Sequence, residues 1–205
     1  MGDTAPTMQV GIYLYDEAEV LDFAGPFEVF STASRVHGKL HPEAPPPFAV
    51  SLIAEHAAPV RARAGFLVQP HHAIANHPPL DMLVVAGGVH TAEMEKPSVT
   101  EWIARVDQTT QLTASVCTGA FLLGRAGLLS GRVTTHWEDI PDLRALFPAL
   151  EVAENTRWVD GGRIVTSGGI SAGLDMSLYL VGRLTSPALA HATARQMEYD
   201  WRETP

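Results

Sequence analysis

Cysteine is almost absent: one residue, Cys117, in a chain of 205. That excludes an internal disulfide framework and fits a reducing compartment. Aromatic residues make up only 7%, and charged residues 18%. Lys and Arg number 14 against 23 Asp and Glu, a formal net charge of -9. No basic run breaks this acidity, so nucleic acid and anionic membrane are not expected as partners. No apolar run reaches the roughly 20 residues that span a bilayer. Met1 to Thr7 lacks the basic start and apolar core of a signal peptide, so residues 1–7 read as a flexible tail on a cytoplasmic protein. Internal repeats and low-complexity tracts are missing too. What is present is a hydrophobic content of 46%, typical of a globule, and enough length for one domain, placed at residues 8–205.

The chain alternates between two periodicities. Met8 to Tyr15, Phe48 to Ala54, Asp81 to Ala86 and Leu112 to Val116 read as strands. Val60 to Val68 reads as short strands around a turn at Gly65, and Trp158 to Ser167 as a hairpin turning at Asp160 to Gly162. Helices are expected from Leu21 to about Arg35, with Pro26 in the first turns, then over 99–109, 119–129 and 137–147. Two more close the chain over 171–184 and 187–199, with Ser171 and Ser186 as caps. His37 to Pro47, with four prolines, reads as a loop. Strands alternating with helices imply a mainly parallel sheet covered on both faces, with ligands bound beyond the carboxyl ends of the strands.

Three loops at those ends carry the chemistry. Cys117 lies where an apolar strand turns sharply into a helix that contains Gly119. The first amides of that helix favour thiolate over thiol, which is the nucleophilic form. Asp22, between Leu21 and Phe23, reads either as a first-turn helix residue or as a partly buried carboxyl trading a proton with the thiol. Gly87-Gly88 lets backbone approach a ligand, and its amides, with that of Thr118, are placed to stabilise developing negative charge. The Thr118 hydroxyl either reaches substrate or caps the helix. His136 is read as a packed histidine rather than the base of a Cys-His pair. His71, His72 and His77 gather in a proline-rich loop without a metal-ligand spacing, so no metal is expected. Asp175 is expected to satisfy backbone amides.

Four motifs occur in order: Leu21-Asp22-Phe23-Ala24-Gly25-Pro26, Ser115-Val116-Cys117-Thr118-Gly119, Thr134-Thr135-His136-Trp137, and Ser167-Gly168-Gly169-Ile170-Ser171-Ala172-Gly173-Leu174-Asp175. Together they resemble the ThiJ/PfpI superfamily, and most of all its isocyanide (isonitrile) hydratase branch. The resemblance runs from about Val10 to Tyr199. It implies a flavodoxin-like three-layer α/β sandwich, a cysteine on a nucleophile elbow, and a homodimer. It implies Cys117 as nucleophile, Asp22 as acid/base carboxyl, Thr118 as the neighbouring hydroxyl, and Gly87, Gly88 and Val89 as the loop lining the site. His136, Trp137 and Ile170 stand behind these. Two departures concern substrate: the glycine pair continues as Val89-His90, and the 37–47 segment is long and is expected to cover or flank the site. Thr118 also replaces the His that follows the Cys in peptidase-like members.

The implied reaction adds water to an isocyanide, giving an N-substituted formamide through a covalent Cys117 thioimidate, with no metal and no organic cofactor. Two rivals remain. One is cysteine chemistry on reactive carbonyls, as in glyoxalase-type relatives. The other is a ligand- or redox-sensing role like that of the sensor half of AraC-type regulators. With Pro205 as the last residue, no helix-turn-helix half is expected.

Overall fold

In the computed structural model residues 6–205 are described, so Met1 to Ala5 of the expected tail lie outside the described residues. The elements run β1 (Met8–Tyr13), α1 (Val20–Leu40), β2 (Phe48–Ala54), β3 (Val60–Arg61), β4 (Leu67–Val68), β5 (His72–Ala73), β6 (Met82–Val85), α2 (Pro97–Asp107), β7 (Leu112–Val116), α3 (Gly119–Arg125), β8 (Arg132–Val133), α4 (Ile140–Leu146), β9 (Glu151–Val152), β10 (Trp158–Asp160), β11 (Ile164–Ser167), α5 (Ala172–Leu184) and α6 (Pro187–Gln196). Every residue of β6 and β7 is buried. Such strands are covered on both faces, which is why their sequences do not alternate.

One seven-stranded sheet has the order β10-β11-β7-β6-β1-β2-β5. Its neighbours pair in parallel except β10 and β11, which form the expected hairpin. Helices α1, α5 and α6 pack on one another over one face, while α2 and α3 pack together over the other. This is a mainly parallel flavodoxin-like α/β sandwich. Tyr13, Val85, Ser115 and Thr166 lie side by side in register across β1, β6, β7 and β11. The chain leaves all four strands at one edge. The segments emerging there carry Asp22, Gly87-Gly88, Cys117 and Ile170.

Several boundaries differ from the sequence expectation. Helix α1 runs to Leu40, so the loop expected over 37–47 shrinks to 41–47. Nothing before Pro42 forbids helical backbone, and His37 and Lys39 suit the negative end of the dipole. That loop also lies away from Cys117: Met8 N, at the start of β1, donates to Pro47 O at 2.9 Å. It therefore flanks the opposite edge. Helix α3 stops at Arg125 rather than continuing to 129. Gly127 adopts φ +76°, and its N–H and that of Leu128 bond to Gly124 O and Leu123 O in a Schellman closure. The stretch from Trp137 begins as a 3-10 turn before α4, and α6 ends at Gln196 rather than 199. Ser186 caps α6 by accepting from Leu189 N, whereas Ser171 makes no side-chain cap.

Candidate active site

Cys117 sits one residue beyond β7 with φ +56°, left-handed backbone that a side chain with a Cβ resists. Its surroundings impose it. Cys117 N donates to Ser167 O and Gly168 O, each at 3.2 Å, and its carbonyl accepts from Thr135 Oγ1 at 2.9 Å. Three hydrogen bonds thus hold a backbone conformation that costs on the order of 1–3 kcal/mol in a residue with a Cβ. The thiol is 7% exposed.

Asp22 lies in the first turn of α1 and is fully buried. Its Oδ2 accepts from Gly87 N at 3.1 Å, and its Oδ1 has no hydrogen-bond partner among the described residues. Gly87 makes the meeting possible. A Cβ there would lie 2.6 Å from Thr118 N, 2.8 Å from Asp22 Oδ2 and 2.8 Å from Cys117 Cβ. Asp22, Cys117 and the Thr118 amide therefore converge on the space a glycine leaves.

The glycine pair is braced from both sides. Thr118 Oγ1 donates to Gly88 O and accepts from Gly88 N, each at 2.8 Å. Val89 N donates to Glu17 O, and Glu19 N to Gly87 O. Gly88, at φ +144°, passes so close to Glu17 that a Cβ would lie 2.3 Å from its carbonyl oxygen. This corrects two expectations. The Gly87, Gly88 and Val89 amides are engaged within the protein, so they do not form an open oxyanion hole. Thr118 makes no side-chain cap on α3; its hydroxyl locks the loop.

The electrostatics correct a third. Burial pushes the Cys117 thiol well above its usual range, with the Asp22 charge next; the Thr118 amide acts the other way. Thiolate is therefore not the resting form. Burial also pushes the Asp22 carboxyl up to about 7, opposed by the Gly87 amide, while Glu19 adds repulsion. The thiol of Cys117 and the amide of Ile170 favour the carboxylate. The result is a neutral thiol beside a carboxyl poised to gain or lose a proton near neutrality.

Val89, Ile170 and Trp137 are exposed apolar side chains, Trp137 at 73%. Ile170 also holds left-handed backbone, φ +53°. His136 lies with its ring over Gly169, where a Cβ would come 2.0 Å from Cδ2, and its Nδ1 accepts from Glu138 N at 3.4 Å. Among the described residues no hydrogen bond joins it to Cys117. His90 stacks on Phe121 with centroids 4.1 Å apart. Asp175 accepts from the Arg157 guanidinium, Tyr199 Oη and Arg202 N, so a cation does more for it than amides do.

Among the described residues no group of three or more His, Cys, Asp or Glu could hold a metal ion. His71 Nδ1 accepts from Leu52 N and His77 Nε2 from Trp102 Nε1, so these two ring nitrogens are engaged within the protein. His37 and His41 meet with tilted rings, centroids 4.9 Å apart, at the end of α1 beside a cavity of about 430 Å³, at the opposite edge from Cys117. Tyr15 escaped the sequence reading. It ends the apolar run of the first strand, and that position at a carboxyl edge was the available signal.

The match to known proteins follows this geometry. The DJ-1/PfpI family model covers residues 8–183. The chain belongs to the DJ-1/PfpI family. It is 32% identical to the isonitrile hydratase of Pseudomonas putida, over 94% of this chain and 78% of that protein. It is 29% identical to the HTH-type transcriptional regulator CdhR of Pseudomonas aeruginosa, over 86% of this chain but only 51% of the regulator. Among solved structures, a ThiJ/PfpI family protein from Pseudomonas syringae superposes with a TM-score of 0.82 at 26% identity, covering 97% of this chain and 78% of that one. Drosophila melanogaster DJ-1beta shares the fold, with a TM-score of 0.80 at 16% identity, covering 96% of this chain and all of that one. The family thus spans proteins named as enzymes and as regulators.

Proposed function

We propose that the protein hydrates isocyanides to N-substituted formamides, with Cys117 as nucleophile on a strained elbow and Asp22 as the proton carrier. The observation that carries this reading is the pairing of Cys117, in left-handed backbone, with a buried Asp22 that has no cation beside it among the described residues and an ionisation near neutrality. The likeness to isonitrile hydratase supports it.

An isocyanide carbon takes both a nucleophile and a proton. Cys117 S–H gives its proton to the Asp22 carboxylate as sulfur bonds to that carbon. Asp22 passes the proton to the same carbon, leaving a thioimidate. Water then adds to this carbon, Asp22 moves one water proton to nitrogen, and the remaining hydroxyl proton passes to sulfur as the C–S bond breaks, releasing the formamide and restoring the thiol. No electrons are exchanged with an outside partner, and no cofactor is needed. Val89, Trp137 and Ile170 offer an apolar approach for the substituent. The active unit in this reading is a cytoplasmic homodimer acting on a small molecule; sedimentation of the purified protein checks the dimer.

Turnover of an aromatic isocyanide, followed as formamide formation, tests the proposal with Cys117→Ala alongside. Product from the wild type and a fall of about 10³-fold or more in the variant are expected. Substantial rate in Cys117→Ala would rule out the covalent route. The regulator relatives favour ligand sensing as a second reading. Tight isocyanide binding without formamide would select it.

A further inference from the structure

Tyr15 follows β1 by two residues and has no part in the scheme above. It is 3% exposed, and its ring stacks on Tyr13 with centroids 6.1 Å apart. Its hydroxyl is buried and bonded to no described group. Native interiors rarely leave such a donor unmatched, and the exceptions gather where a ligand, water or reaction uses them. The neighbourhood is specific. Glu93, Asp22 and Cys117 lie close enough for their charges to act on the phenol, and the Thr118 hydroxyl is within reach. That hydroxyl is already committed in both directions to Gly88. Asp22 Oδ1 and Ser115 Oγ are further buried oxygens without a partner among the described residues.

Tyr15 also lines a cavity of about 130 Å³ with Asp16, Glu55, Glu93 and Lys96. Lys96 Nζ bonds to Glu55 at 2.8 Å and to Glu93 at 2.9 Å, so this cavity is a charged space suited to water. The exposed side chains Val89, Trp137 and Ile170, by contrast, are apolar. Tyr15 thus lines a charged cavity and lies near enough to Cys117 and Asp22 for their charges to act on its phenol.

We propose that Tyr15 is a further catalytic residue, whose phenol O–H holds the water that attacks the Cys117 adduct. This rests on the hydratase reading. The phenol keeps its own proton throughout: burial first, then the charge of Glu93, holds it undissociated. It donates one hydrogen bond to the water oxygen. That leaves an oxygen lone pair for the thioimidate carbon and a water proton for Asp22. No atom of Tyr15 enters the product.

Tyr15→Phe preserves the ring and its stacking, and circular dichroism verifies the fold. During turnover of an aromatic isocyanide, the variant should lose about 10²-fold in kcat, the usual effect of removing one positioned donor. Intact-mass spectrometry should then show the Cys117 adduct accumulating, while the single-turnover rate of adduct formation stays within about twofold of wild type. Wild-type turnover in Tyr15→Phe, or equal slowing of both steps, would overturn the assignment. A crystal structure of the resting protein at atomic resolution should show a water on Tyr15 Oη. Formamide formation with no water there overturns the role of Tyr15 and leaves the hydratase reading standing. No formamide from the folded wild type overturns both.

Discussion

Asp22 and Asp175 are both fully buried aspartates in the first turn of a helix, yet the fold treats them oppositely. Asp175 is held by the Arg157 guanidinium, Tyr199 Oη and the Arg202 amide. It ties β10, α5 and the C-terminal segment together. Asp22 has the amides of Gly87 and Ile170 and the Cys117 thiol acting on it, no cation among the described residues, and one oxygen without a hydrogen-bond partner there. Burying a carboxylate without a counter-charge shifts its ionisation rather than stabilising the fold. One aspartate serves as structural glue, and the other is kept uncompensated beside a thiol. Burial alone therefore separates neither role; the partners do.

Replacing each by Asn should break the comparison cleanly. Asp22→Asn removes the proton carrier and should lower isocyanide turnover by about 10³-fold, while unfolding in urea at pH 8 shows stability equal to wild type or higher. Asp175→Asn leaves Arg157 without its charge partner and should lose about 3 kcal/mol, the low end for a broken buried pair because Arg157 is partly solvated. Its folded fraction should retain turnover. If Asp22→Asn proved the destabilising change and Asp175→Asn the inactivating one, the two roles would be reversed.

Varying pH sharpens the contrast further. Asp22 titrates at about 7 when folded against 3.8 as a free carboxyl. Between those values the unfolded chain binds fewer protons than the native state, so this group's contribution to stability falls as pH rises through the window. Below about pH 4 and above about pH 7 its contribution is flat. The difference in unfolding free energy between wild type and Asp22→Asn should therefore drop by on the order of 4 kcal/mol from pH 4 to pH 8. Activity moves in the opposite sense. The working pair holds one proton, the neutral thiol beside a carboxylate, so kcat/KM should climb with pH through about 7. A profile that falls over this range would show that protonated Asp22 is the working form.

Much of this contrast could be read in one dimension, and some of it could not. The unbroken apolar runs 82–85 and 112–116 announced buried parallel strands, and Cys117 at the end of the second announced an edge site. Leu21 and Phe23 around Asp22 hinted at burial. What stayed hidden was set by contacts between distant segments. The Gly87 amide meets Asp22 across 65 residues, and the Gly88 amide meets Thr118 across 30. Nothing local to a Gly-Gly pair shows that its amides are already committed. The thiol's resting state was misjudged for the same reason. A helix start favours thiolate, but burial and Asp22 outweigh it, and both arise from tertiary packing. The end of α1 was missed because exposed Gly38 and Lys39 look like loop residues, although they continue the helix.

Thr118 carries the smallest expected effect and tests whether the loop or the carboxyl sets the proton affinity of Asp22. Thr118→Val keeps the shape and removes the hydroxyl, leaving the Gly88 N–H and C=O without their partner at a cost of about 1 kcal/mol. The Gly87-Gly88 turn then loosens, and the Gly87 amide is the strongest force holding the Asp22 ionisation down. Weakening it should move the midpoint of the kcat/KM profile to higher pH and lower the rate by about tenfold at pH 7. Thr118→Ser retains the O–H and should restore both. A rate loss in Thr118→Val with the midpoint unmoved would mean that the hydroxyl acts on substrate directly, and that burial alone sets the acidity of Asp22.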